Sequence, residues 1–92
     1  MKKCKKMNWG IVLSNVNEAK KQLEDLAKEI KKNGNLSESE FSIALKHACH
    51  HINFAWNCRY ASDNEYANMT DKDFRKWSKS PSLLNRVFKK HL

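Results

Sequence analysis

The sequence predicts an all-α fold, a long antiparallel helical hairpin closed by one or two short C-terminal helices, on three observations. Apolar residues recur at helical spacing along two long stretches. Between those stretches stand a glycine stop and a capping box, a few residues apart. Two Gly and one Pro in 92 residues leave little punctuation for strands and hairpin turns.

In the first stretch Trp9, Val12, Val16, Ala19, Leu23, Leu26, Ala27 and Ile30 follow one another by threes and fours, which places them on one narrow stripe. Two starts are open: Asn8 would cap a long helix, and Asn15 with Glu18 a shorter one. The end is better signalled. Lys31 and Lys32 suit the negative end of the helix dipole, and Gly34 supplies the left-handed closing turn.

Ser37 with Glu40 reads as a capping box, and Leu36 and Phe41 as its hydrophobic staple. The helix that follows carries Phe41, Ala44, Leu45, Ala48, Ile52, Ala55, Trp56 and Arg59 within about a third of its circumference, the expected core stripe. It should fade near Ala61, where Ser62, Asp63 and Asn64 favour a turn. The long helices then span about 9–32 and 38–61, roughly 36 Å each, and a connection of about five residues makes them antiparallel. Thr70 with Asp73, and Met69 with Phe74, repeat the box and the staple before a short helix over about 71–79 that presents Phe74 and Trp77 to the hairpin. Ser80-Pro81 opens a final basic helix with Leu83, Leu84, Val87 and Phe88 on its apolar side. Residues 1–7 read as a basic tail and 8–92 as a single helical domain.

The net charge of +8 belongs to the ends. Residues 1–6 hold four Lys and no acid, and residues 71–92 hold seven Lys or Arg against two Asp. Residues 7–70 hold seven basic side chains against eight acidic ones. Basic ends of this kind suit nucleic acid or an acidic partner, and they also serve as plain solvated solubility devices. Nothing approaches the roughly 20 apolar residues of a membrane span, and Ile11–Leu13 is too short for a secretory core. Three cysteines are an odd number, and Cys49 and Cys58 on one helix stand about 13 Å apart, beyond disulfide reach. The expected home is the reducing cytoplasm.

The second helix has another notable face. His47, His51 and Cys58 cluster there with Ile43 and Phe54 alongside. His47 and His51 are at i and i+4, a spacing that lets two imidazoles reach one metal. Yet Ala48 stands where a zincin motif needs Glu, Cys58 lies about 10 Å further along the axis, and no acid shares the stripe. The expectation is no metal and no cofactor, with the histidines at a helix–helix contact. The run Phe54 to Tyr60 is rich in aromatic and planar polar groups; Arg59 is expected to reach Asp63 or Glu65 with its stem on Trp56. Phe74-Arg75-Lys76-Trp77, Lys79, and Val87-Phe88-Lys89-Lys90 interleave aromatic with basic residues, as single-stranded nucleic acid or an acidic partner would require. No helix-turn-helix or zinc finger accompanies them.

There is no Gly-rich phosphate loop, no G-x-S-x-G and no close carboxylate pair on an inner helix face, so catalysis is not expected. The expected function is a non-enzymatic protein–protein interaction module, with His47, His51, Phe54, Cys58, Arg75, Lys76, Trp77, Lys79, Lys89 and Lys90 as candidate binding residues. The alternative is a nucleic-acid-binding module using the basic ends. One hairpin does not readily cover both faces of the second helix. If the C-terminal helices leave one bare, two hairpins should pair as a four-helix bundle.

Overall fold

The computed structural model describes residues 6–80. It has four helices in chain order, α1 (Trp9–Asn33), α2 (Glu38–Asn57), α3 (Asp63–Ala67) and α4 (Asp71–Trp77). Helix makes up 76% of the structure, with no strand among the described residues. The final helix expected from Pro81 onward and the basic tail at residues 1–5 lie outside the described residues.

Asn8, not Asn15, begins the first helix. Its Oδ1 accepts from the Ile11 N–H at 3.3 Å. The far end closes at Gly34, whose φ of 62° lies in the left-handed region and whose N–H donates to the Ile30 carbonyl at 3.1 Å. Ser37 and Glu40 form a full capping box on α2, and Thr70 and Asp73 another on α4.

The α2 helix stops four residues sooner than its pattern suggests. Cys58 to Tyr60 form a turn instead, closed by the Arg59 N–H on the Trp56 carbonyl and the Ala61 N–H on the Cys58 carbonyl. That turn is held by Asn8. Its backbone N–H donates to the Arg59 carbonyl at 2.6 Å, and its Nδ2 donates to the Ala61 carbonyl at 2.9 Å and to Asp63 Oδ1 at 3.0 Å. One side chain therefore starts α1 and ties it to the far end of α2. The residues expected to be a plain turn form a short helix, α3, because Ser62 and Glu65 make a third capping box.

Helices α1 and α2 pack antiparallel through small residues. Ala19 and Ala48 are buried and Ala44 and Ala55 half-buried, so the backbones approach closely. The core proper is Ile11, Phe54, Cys58 and Trp77, with Ala61, Tyr66 and Met69 packed against it. This corrects the expected core stripe. On α2 the buried side is rotated toward Phe54 and Cys58, because α3 and α4 bring Tyr66 and Trp77 onto that side. Phe41, Leu45, Ile52 and Trp56 are left exposed. On α1 the deepest residues are Ile11, Asn15 and Ala19, while Trp9, Val16, Leu23 and Ile30 face outward.

Candidate functional site

The two sides of the hairpin differ in chemistry. On the first, polar side chains fasten the C-terminal cap to the long helices. Asn57 Nδ2 donates to the carbonyls of Trp77 at 2.8 Å and Lys79 at 2.6 Å, and Asn53 Nδ2 donates to the Ser78 carbonyl at 3.0 Å. Asn53 and Asn57 are one helical turn apart on α2, so they reach successive carbonyls at the end of α4, the groups a helix leaves without internal partners. Asn15, 3% exposed, donates to the Ile11 carbonyl and to the Tyr66 hydroxyl, and His51 Nδ1 lies 3.4 Å from its Oδ1. Every buried side-chain nitrogen and oxygen among the described residues has a partner.

His50, absent from the sequence candidates, lies at the centre of an aromatic cluster. Its ring centroid is 4.5 Å from that of Phe54, 5.4 Å from Phe74 and 5.3 Å from His51. Phe54 meets the Trp77 ring edge-on at 6.2 Å, and Tyr66 stacks on Trp77 at 6.1 Å. Burial, and then the charges of His51 and His47, hold His50 below the ordinary imidazole value.

The predicted site residues divide accordingly. Phe54, Cys58 and Trp77 are in the core and present no surface to a ligand. Cys58 is fully buried; burial first, and the Asp73 carboxylate second, push its thiol up to about 12, which keeps it protonated and a poor metal ligand. His51 is half-buried on Asn15, at the helix–helix contact, and His47 is exposed. Among the described residues no group of three or more His, Cys, Asp or Glu side chains is placed to hold a metal ion. Arg75, Lys76 and Lys79 are exposed, while Lys89 and Lys90 lie outside the described residues. Of the two aromatics interleaved with basic residues on α4, Trp77 is buried and Phe74 remains 48% exposed.

Among the described residues, no comparable polar fastening of α3 or α4 lies on the second side of the hairpin. Trp9 is 66% exposed and lines a cleft of about 350 Å³ with Met7, Val12, Ile52, Trp56 and Arg59. The Arg59 guanidinium stacks 3.8 Å above the Trp56 ring and donates to the Trp56 carbonyl at 2.6 Å. This replaces the expected reach toward Asp63 or Glu65: Asp63 receives Asn8, and Glu65 caps Ser62. At the loop end Ile30, Leu36, Glu38 and Phe41 line a second cleft. Between the clefts Val16 and Leu23 of α1 and Leu45 of α2 are exposed. A continuous apolar face thus runs the length of the hairpin, opposite α3 and α4.

No protein-family model, curated protein or solved structure matches this chain. Among the described residues no helix is long and apolar enough to cross a membrane.

Proposed function

We propose that this protein is a non-enzymatic interaction module that binds protein through the apolar face of its hairpin. The observation that carries the reading is the exposure of Trp9, Val16, Leu23, Ile30, Phe41, Leu45, Ile52 and Trp56 on one side of two packed helices. Contiguous apolar surface of this extent on a small domain marks an interaction site, and Trp and Arg, here Trp9, Trp56 and Arg59, are frequent binding anchors. With a protonated, buried Cys58 and with His50 and His51 engaged in packing, the described residues offer catalysis little. Cys49 and Cys58, both free among the described residues, and the odd cysteine count favour a reducing cytoplasm.

The test is site-specific photo-crosslinking in living cells with a photoreactive residue at Leu23 or Leu45, and at Lys28 as a control. The reading expects discrete protein adducts from the two apolar positions and none from the control. Cells that give no adduct at either apolar position overturn it.

A second reading, nucleic-acid binding, rests on the terminal concentration of positive charge and on the exposed Arg75, Lys76 and Lys79. Titration with DNA and RNA oligonucleotides at low and physiological salt tests it, because counterion release makes such binding fall by orders of magnitude as salt rises. Absence of binding at low salt removes this second reading.

A further inference from the structure

We propose that the occupant of the apolar face is a second copy of this chain, paired about a two-fold axis that crosses the hairpin at mid-length; this rests on the reading of that face as the binding surface. The outward residues of both helices are spaced symmetrically about one level. On α2 the order along the face is Glu38, Phe41, Leu45, Ile52, Trp56, Arg59. Read backward from Arg59 the spacings repeat, so an antiparallel copy sets Phe41 against Trp56, Leu45 against Ile52 and Glu38 against Arg59. The centre falls between Ala48 and Cys49. The ends carry opposite charges: Glu38 borders the loop-end cleft and Arg59 the open-end cleft. Self-pairing therefore joins acid to base at both ends, as an isologous interface requires.

On α1 the exposed Trp9, Val16, Leu23 and Ile30 recur every seven residues, the repeat that keeps a seam facing a partner helix. An antiparallel copy sets Trp9 against Ile30 and Val16 against Leu23, centred between Ala19 and Lys20. The cross-hairpin contacts Asn8–Arg59 and Asn15–His51 place that centre level with the α2 centre to within about one helical turn, ~5.4 Å. One axis thus satisfies both helices and yields a four-helix bundle. From Trp9 to Ile30 the face is roughly 32 Å long and two helices wide, on the order of 500–600 Å² per copy, so the pair buries about 1,100 Å², at the lower edge of specific interfaces.

The geometry also positions a reporter. The two exposed Cys49 side chains fall beside the axis on the same edge of the bundle, whereas a pairing that lays α1 over the partner's α2 puts them on opposite edges. In a Cys4→Ser protein a short bismaleimide should link Cys49 to Cys49 in high yield. Sedimentation equilibrium of the full chain should give a dimer at ~100 µM, dissociating toward monomer near ~1 µM. Leu45→Glu should shift dissociation at least tenfold while circular dichroism keeps the protomer's helicity. Glu38→Arg alone should weaken the dimer, and Glu38→Arg with Arg59→Glu should restore it. A monomer at every concentration overturns self-pairing, as does a dimer that ignores Leu45→Glu or leaves Cys49 unlinked. If the purified chain is monomeric yet Leu23 still crosslinks a different protein in cells, self-pairing falls and the interaction reading stands; if neither occurs, both fall.

Discussion

Asn57 holds the end of α4 to α2: its single amide nitrogen donates to both the Trp77 and the Lys79 carbonyls, at 2.8 and 2.6 Å. A carboxamide suits this place because it offers two N–H groups to carbonyls that the helix end leaves free. Trp77, drawn inward by that bond, then fills the core against Phe54 and Tyr66. Asn57→Ala removes both donors and leaves the Trp77 carbonyl short of a partner. A loss of about 1–3 kcal/mol is expected, read as a lower denaturation midpoint, with amide exchange in α4 accelerated more than in α1. Asn57→Ala with wild-type stability contradicts the role.

The two glycines respond oppositely to alanine. A Cβ added at Gly34 would meet nothing within 4 Å, so Gly34→Ala meets no clash and costs only the left-handed backbone, about 1 kcal/mol. Gly10 lies in the first turn of α1, where a Cβ meets only Asn8 Oδ1 at an ordinary 3.5 Å. Gly10→Ala should stabilise by about 0.5–1 kcal/mol. For a chain of this size that means a melting temperature several degrees lower for the first variant and a few degrees higher for the second.

Acid should loosen the cap. Burial first, and then His51 and His47, hold folded His50 below its ordinary value, so the unfolded chain takes up that proton more readily. Stability contributed by neutral His50 is therefore complete above the unfolded value, near 6.5, and declines as pH falls toward the lower folded value. His50→Leu keeps an apolar side chain against Phe54 and Phe74 and should flatten the stability–pH curve as pH falls below the unfolded value. An unchanged slope in urea titrations at several pH values would contradict the assignment.

The fold was largely legible in the sequence, and the part that failed did so for one physical reason. Gly34, Ser37/Glu40 and Thr70/Asp73 act locally, so their spacing alone placed three helix ends. Ser62/Glu65 carries the same signal, masked by a run of Ser, Asp and Asn that also suits a turn. Which apolar stripe faces the core is not a local property. It depends on where α3 and α4 dock, and their docking rests on Asn15, Asn53 and Asn57, polar residues that a hydrophobic pattern skips. Hence the pattern points Phe54 and Cys58 outward and Ile52 and Trp56 to the core, whereas Phe54 and Cys58 are buried and Ile52 and Trp56 exposed.

The thiols report the same rotation. In a Cys4→Ser protein at pH 8, Cys49 should label within minutes. Cys58, with its thiol pushed up to about 12, exists as thiolate at roughly one part in 10⁴ and should label only as the chain unfolds. Equal labelling rates for the two would place Cys58 at the surface.

In the proposed pair, the face from Trp9 to Ile30 and Phe41 to Trp56 packs on its counterpart in a second copy of the chain rather than serving the protomer's own core. The deciding measurement is the melting temperature as a function of protein concentration, for the wild type and for Leu23→Glu/Leu45→Glu. Mass action makes a dimer's melting temperature climb with concentration. Such a climb is expected for the wild type from ~1 to ~100 µM, and for the double variant a concentration-independent melting temperature equal to that of the dilute wild type. A wild-type melting temperature that ignores concentration, or a double variant that is already unfolded at low temperature, would contradict it.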